Sequence, residues 1–467
     1  MVVDNEASLT RSEELDGLDV KYAFHPFTSA QEHSQAGPLM IVEGRGSELF
    51  DSRGNRFLDA MAGLWCVNIG YGNEEMARSL QEQCVRLSYY HSFSSMANDM
   101  STLLAQRLIE SAPVPMSKVF FGNSGSDAND TQIKLVWYYN NVLGRPQKKK
   151  IISRQRGYHG VTALTAGLTG LDNLHDGFDL PFPMIRYTKA PHSLWEAAPG
   201  MSDADFVAML AKELEGLILD EGPDTVAAFV AEPIQAAGGV IVPPVGYFAA
   251  IQEVLRRYDV LMIADEVVCG FGRLGENFGT NIFGVEPDMI TVAKGITSAY
   301  VPLSASLVSQ KVWDVIEQGS SRYGVFGHGY TYSAHPLSAA AAMTNLDIIE
   351  REKLVGKAKD RGDYLQGLLH QAFDGHPLVA EVRGYGLIGA VEFVQSTDPL
   401  TKFDPSLKVG VRVTRASREM GVITRALPAA DTIAFSPPFI VTESELDEMV
   451  GTTRKALDIV AHELATH

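Results

Sequence analysis

From about Tyr71 to Gly329, short apolar runs alternate with longer amphipathic stretches. Lys118–Phe121, Lys150–Ser153, Val226–Ala231, Val260–Ala264 and Met289–Ala293 read as strands buried on both faces, because their apolar residues are consecutive rather than alternating. Ala128–Leu143, Asp203–Leu219 and Gly246–Tyr258 carry helical periodicity. Such alternation predicts an α/β fold, with a mostly parallel sheet and helices on both of its faces. Before it, residues 1 to about 35 are polar and acidic and read as an arm, and VEGRGSELFDSRGNRFLDA is punctuated like a hairpin. After His335, PLSAAAAMTNLDIIEREKL predicts a long helix leaving the large sheet. The remainder, with a strand over Leu387–Val394, reads as a smaller α/β unit. The expected organisation is an arm and hairpin segment over 1–70 that joins the small domain, a large domain over 71–334, and a small C-terminal domain over 335–467.

Two of these strands end on chemistry. VLMIADE delivers Asp265 and Glu266, and MITVAKG delivers Lys294, each at the carboxyl end of a strand, where α/β sheets gather their ligands. The interval between them leaves room for one crossover, so the strands should be neighbours. Taken singly, a strand-end Asp-Glu is more often a cap and a strand-end Lys a solvated charge. Together they suit pyridoxal phosphate, whose ring nitrogen needs an anion and whose aldehyde needs a lysine.

Other segments join this pairing. In KVFFGNSGSDAND a strand turns into a helix through Ser124, Gly125 and Ser126, whose N–H groups, hydroxyls and helix dipole make an anion site. A plain Ser/Asp cap explains the same residues without a ligand. In SRQRGYHGVT, Tyr158 and His159 offer an aromatic face to a flat ring, or else a core tyrosine and a turn histidine. GHGYTYSAHP supplies Thr331 and Ser333 as further phosphate hydroxyls. GYGLIG (Gly384–Gly389) matches a dinucleotide fingerprint, but a β-type run follows it instead of a helix, so it reads as a Gly-rich hairpin.

Composition narrows the partners. A formal charge of −18 excludes the basic footprint that nucleic acid or an anionic membrane surface requires. The three cysteines, Cys66, Cys84 and Cys269, form no CxxC and cannot all pair, which points to a reducing compartment. Acidic residues stand where a secretory signal would need a basic and then an apolar stretch, and Val226–Leu255 is broken by Glu232, Pro233, Pro243 and Pro244. A cytoplasmic location with no membrane partner is the expectation.

GNSGSDAND, RGYHG, AEPIQAAGG, ADEVVCGFGRLG, AKGITS and HGYTYSAHP, in this order, resemble the class III aminotransferases, and with MAGLWCVNIGYG the ω-amine:pyruvate branch, from about His25 onward. The resemblance implies a fold type I, pyridoxal-phosphate-dependent homodimer with active sites at the subunit interface. It implies that Lys294 is the Schiff-base lysine and Asp265 the partner of the pyridinium nitrogen. Val267 and Tyr158 would pack on the two ring faces, Gly125 and Ser126 would cradle the phosphate beside Ser124, and Thr331 would reach the phosphate from the neighbouring subunit. Trp65 and Phe93 would line the substrate pocket.

Two departures carry information. Relatives acting on ornithine or 4-aminobutyrate have Glu where Ala237 stands, which favours a monocarboxylate acceptor here. Many have Gln where Val268 stands, so that contact to the cofactor is missing or replaced. Arg425, ahead of a PP-containing strand end, fits the position of a mobile carboxylate-binding arginine, although the loop from Ala426 to Asp431 is about two residues longer than in several relatives. The expected activity is transfer of an amino group from a primary amine or ω-amino acid to pyruvate. A decarboxylase or aminomutase of the same superfamily is the alternative, and a nicotinamide-dependent oxidoreductase a more distant one.

Overall fold

A computed structural model describes residues 5–428 and 431–466, with side chains from residue 11 onward. Seven strands form the central sheet, labelled in chain order: β1 (Lys118–Gly122), β2 (Lys150–Arg154), β3 (Ile185–Thr188), β4 (Val226–Ala231), β5 (Leu261–Asp265), β6 (Met289–Val292) and β7 (Ser304–Val308). They lie in the order β1-β7-β6-β5-β4-β2-β3. β7 runs antiparallel to both of its neighbours, and the other pairings are parallel. The mostly parallel sheet is therefore as expected, and five of its seven strands are the five the pattern marks.

β3 and β7 escape the pattern for a physical reason. β7 reads SASLV, and its serines are satisfied by a helix rather than by apolar packing. The Ser304 hydroxyl donates to Asp127 Oδ1 (2.9 Å) and the Ser306 hydroxyl to the Ala128 carbonyl (3.0 Å). Along the central strands, side chains alternate between faces. Phe229 and Met262 pack with the helices Asp203–Glu221 and Tyr247–Arg257, whereas Ala228, Val230 and Ile263 pack with the helix Gly125–Val142. Both faces are thus covered, as consecutive apolar runs require.

The predicted hairpin forms a sheet of Ile41–Arg45, Glu48–Asp51 and Arg56–Asp59, to which Val422–Ile423 adds a parallel edge. Leu58, Ile69 and Met76 share one core with Leu365, Phe435 and Leu457, so the start of the chain packs with its end. The helix expected after His335 runs Pro336–Arg351, and a left-handed Lys353 (φ 53°) then starts the helix Leu354–Phe373. GYGLIG is a turn between the antiparallel strands Val379–Gly384 and Gly389–Phe393, not a nucleotide loop. A Cβ at Gly386 (φ 55°) would lie 2.5 Å from the Leu274 backbone, which accounts for that glycine. Among the described residues, no helix is long and apolar enough to cross a membrane.

Candidate active site

β5 and β6 are neighbours, with Asp265 opposite Thr291, so their carboxyl ends open at the same edge of the sheet. Beyond β6 the chain turns sharply at Lys294, which adopts φ 44°. A left-handed L-residue costs roughly 1–2 kcal/mol, and such strain collects at functional sites. Trp65 is held the same way (φ 57°) on the opposite wall, and the Lys294 Nζ lies 5.9 Å from the centre of its ring. Removal from water pushes the pKa of Lys294 below the ordinary lysine value.

Asp265 is buried and held on three sides. Its Oδ2 accepts from Asn129 Nδ2 (2.8 Å) and lies 2.8 Å from His159 Nδ1, while Oδ1 accepts from the Val267 N–H (3.1 Å). Asn129 comes from the helix Gly125–Val142 and His159 from the loop after β2, so two elements fix one carboxylate. In sequence His159 marks only an aromatic face or a turn, and its contact with Asp265, like that of Asn129, emerges only in the fold. Glu232, in the AEPIQ segment, was likewise missed. It is buried and accepts from the N–H groups of Tyr158 and Ala236 (both 3.0 Å), which ties the loop carrying Tyr158 to the loop carrying Ala237. Burial raises its pKa.

These groups enclose a cleft of about 150 Å³, walled by Trp65, Tyr158, Ala237, Val267, Val268 and Lys294, with Asp265 at its floor and Gly125 and Ser126 at one end. At that end Ser124 Oγ accepts from the Asp127 N–H (3.2 Å), and the Asp127 carboxylate accepts from the N–H groups of Asn123 and Ser124. The Ser124 hydroxyl is therefore committed to capping the helix. The cap leaves the first-turn N–H groups of Gly125 and Ser126, with the positive end of the helix dipole, for an anion. A Cβ on Gly125 would come within 3.1 Å of both Val267 methyls, so glycine lets the helix begin close against the cleft.

Arg425 reaches the same tryptophan, its guanidinium 5.7 Å from the Trp65 ring centre, and has no carboxylate partner among the described residues. Desolvation lowers its pKa as well. Residues 429 and 430 of the neighbouring loop, whose length the sequence singled out, lie outside the described residues. Phe93 and Thr331 stand elsewhere in this chain. Phe93 is 46% exposed beside Gly329, in a depression it shares with Phe120 and His328, and the Tyr89 hydroxyl donates to the Thr331 carbonyl (2.6 Å). The structure thus brings Lys294, Asp265, Tyr158, Val267, Trp65, Ala237, Gly125 and Ser126 together, and leaves Phe93 and Thr331, both exposed, outside the described lining of the cleft. The three cysteines are free.

Beside Asp265, Glu266 is fully buried and accepts from the N–H groups of Gly279 and Thr280 (3.1 and 2.5 Å); burial pushes its pKa up to about 7. With a folded value above the ordinary 4.5, the folded state binds this proton more tightly than the unfolded chain does. Its contribution is complete below about pH 4.5 and is lost as pH rises through 7. The shift corresponds to about 3 kcal/mol at most. Thermal denaturation of wild type and Glu266→Gln between pH 5 and 8 should show wild type losing up to that much more stability than the variant. Parallel pH profiles would show that Glu266 does not titrate in this range.

The donor set meets the needs of pyridoxal phosphate: an amine for the aldehyde, a fixed carboxylate for the ring nitrogen, two flanking surfaces, and a helix terminus for the phosphate. Comparisons with known proteins agree. Residues 28–457 match the family described as Aminotransferase class-III. The chain is 49% identical over 462 residues to a diaminobutyrate–2-oxoglutarate transaminase of Halomonas elongata, covering 98% of each. A transaminase obtained by ancestral reconstruction superposes with a TM-score of 0.95 at 54% identity, over 97% of this chain and 99% of the other. The ω-transaminase of Pseudomonas jessenii, solved with the pyridoxamine form of the cofactor, superposes at 0.94 with 46% identity, over 97% and 99%. With family, sheet and cleft in agreement, this chain belongs to the class III aminotransferases, enzymes of fold type I that work through pyridoxal 5′-phosphate.

Proposed function

We propose that this aminotransferase moves an amino group from a primary amine or ω-amino acid to pyruvate, in two successive half-reactions through the cleft at Lys294. Bound there, pyridoxal phosphate supplies an electron-accepting ring and carries the amino group from one substrate to the other. Lys294 holds the cofactor covalently between turnovers. Once a substrate amine had taken that place, the freed Nζ would move the proton from the substrate carbon bearing nitrogen to the cofactor carbon that keeps the amino group, and would run the transfer in reverse for the keto acid. Its lowered pKa favours the neutral amine that this task needs. Asp265, fixed by Asn129 and His159, would set its carboxylate against the ring nitrogen, and Val267 and Tyr158 would offer the surfaces for the two ring faces. Gly125 and Ser126 hold the phosphate, with Ser124 acting through the cap.

Phe93 and Thr331 complete the site from a second copy, which makes the working unit a homodimer. The absence of both from the described lining of the Lys294 cleft in one chain supports this reading. Division at residues 70 and 335, and a cytoplasmic location consistent with three free cysteines, belong to the same proposal.

The choice of acceptor rests on one observation: Arg425 stands at Trp65 with no carboxylate partner among the described residues, and position 237, where the resemblance puts Glu in dicarboxylate-using relatives, is alanine. One available guanidinium serves one carboxylate, and among the described lining residues of the cleft no second cation besides Lys294 is present. Pyruvate meets this with its single carboxylate. The apolar wall of Trp65 then suits amines without a carboxylate, at roughly 1.5–3 kcal/mol for a buried ring. A variant of the Pseudomonas jessenii enzyme altered at one tryptophan, one phenylalanine and one arginine was engineered for synthesis of bulky amines, which supports that reading. The Halomonas relative favours a second reading, in which 2-oxoglutarate is the acceptor.

Half-reactions separate the two. Pyruvate should exceed 2-oxoglutarate by at least about tenfold in kcat/KM, roughly 1.4 kcal/mol. Arg425→Ala should weaken pyruvate use by about 2 kcal/mol, the low end for losing the partner of a buried charge, while the half-reaction with a simple arylalkyl amine changes far less. Equal rates with both acceptors would remove the argument from Ala237. Equal losses in both half-reactions would make Arg425 a structural residue.

A further inference from the structure

We propose that the N-terminal segment carries a binding site for a divalent transition cation of the zinc class, formed by Asp19, His25 and His33. Three ligands, one carboxylate and two imidazoles, converge there from three places in the chain. Asp19 lies in the last turn of the helix Asn5–Tyr22, His25 follows that helix, and His33 belongs to the helix Ala30–Ala36. His25 Nε2 is 2.8 Å and His33 Nε2 3.1 Å from the same oxygen, Asp19 Oδ1, and the three atoms all lie within 4.8 Å of one another. Tetrahedral zinc, with bonds of about 2.0–2.2 Å, separates neighbouring ligands by roughly 3.3–3.6 Å. A spread of a few tenths of an ångström would therefore admit the ion, with water or another donor completing its shell.

Hydrogen bonding alone does not account for the cluster. His25 Nε2 hydrogen-bonds to Asp19, whereas the buried His33 Nε2, 3.1 Å from the same carboxylate oxygen, is not aligned for a hydrogen bond to it. A buried ring nitrogen left this way is costly unless something else takes its lone pair. The backbone is also bent to bring the rings together. Phe27 adopts φ 51° between the two histidines while its own side chain is 59% exposed, so burial within this chain does not repay the strain. Local caps then fix the positions: the Ala23 N–H donates to the Asp19 carbonyl, and the Ser29 hydroxyl and carbonyl accept from the N–H groups of Glu32 and His33.

The comparison within the molecule is informative. Among the described residues, one other histidine–carboxylate group has ligand spacing, His192 with Glu381 and Glu392. There Arg383 Nη1 already lies 2.6 Å from both carboxylates, so the positive charge is supplied by the protein. Among the described residues no arginine or lysine is paired with Asp19, which leaves a carboxylate and two imidazoles for a borderline cation. Bound there, the ion would staple the first helix to the segment leading into the hairpin.

The test uses the cofactor-loaded enzyme, freed of metal by a chelator and titrated with Zn²⁺ by calorimetry and with Co²⁺ by visible absorption. The expected result is one tight Zn²⁺ per chain and a tetrahedral-type Co²⁺ spectrum. His33→Ala and Asp19→Asn should each weaken Zn²⁺ binding at least tenfold, since loss of even an outer-shell partner costs about 10–100-fold. Unchanged melting of both variants in the absence of metal separates lost ligands from lost folding. Binding that persists in both variants, binding abolished instead by Cys84→Ser, or no binding by the wild type would each overturn the site.

Discussion

Lys294→Ala should lower the amine half-reaction by about 10³–10⁴-fold, the upper part of the range for a positioned general base. Lys294 is the one amine among the described residues lining the cleft, and the Glu232 and His159 side chains there are already engaged by the N–H groups of Tyr158 and Ala236 and by Asp265. Cofactor retention should fall much less. The helix terminus at Gly125 and Ser126, the Asp265 carboxylate and the faces of Val267 and Tyr158 are untouched by the change. Lys294→Arg should fail almost as badly, because a guanidinium keeps the charge but does not give up its proton near neutral pH. A small exogenous amine should restore part of the rate in the alanine variant and none in the arginine variant. Stopped-flow measurement of the half-reaction checks all three expectations. A loss below tenfold would mean that another group moves the proton.

Asp265→Asn should cost several hundredfold in kcat, about 3–4 kcal/mol, on the scale of a preorganised electrostatic contact. The amide keeps the shape of the side chain and removes its charge. It also turns one acceptor into a donor facing Asn129 Nδ2, which already donates to Oδ2 at 2.8 Å. Both half-reactions should suffer alike, since the charge serves the ring in each direction. This distinguishes Asp265 from Arg425, where only the keto-acid direction should fall. A tenfold loss or less, with cofactor still bound, would place the important negative charge elsewhere. Glu232 is the one other carboxylate lining the cleft among the described residues.

The parts of this site that were legible in the sequence are those set by strand ends and helix starts. An apolar run that stops at Asp265 or Lys294 fixes both the strand and the edge to which its last residue is delivered. A Ser-Gly-Ser turn before an amphipathic stretch likewise fixes the start of a helix. What stayed hidden depends on contacts distant in the chain. Asn129 and His159 look like ordinary helix and turn residues until both are seen on one Asp265 oxygen. The signal that was available for Glu232 was a carboxylate closing the fully apolar β4, the same pattern that exposed Asp265. β7 was missed because Ser304 and Ser306 satisfy a helix instead of filling an apolar layer. Phe93 and Thr331 carry no pattern that reveals their position outside the described lining of the Lys294 cleft.

The most direct measurement follows the absorption of the purified, cofactor-loaded enzyme through one complete cycle. Addition of a simple arylalkyl amine should convert the bound pyridoxal form to the pyridoxamine form and release one equivalent of ketone per site. Pyruvate added after removal of the amine should restore the original spectrum and yield one equivalent of alanine, at least about tenfold faster than 2-oxoglutarate restores it at equal subsaturating concentration. A cofactor that stays in the pyridoxal form with every amine tried, or a product formed by loss of carbon dioxide or by an internal shift of the amino group without a keto acid, would contradict the account.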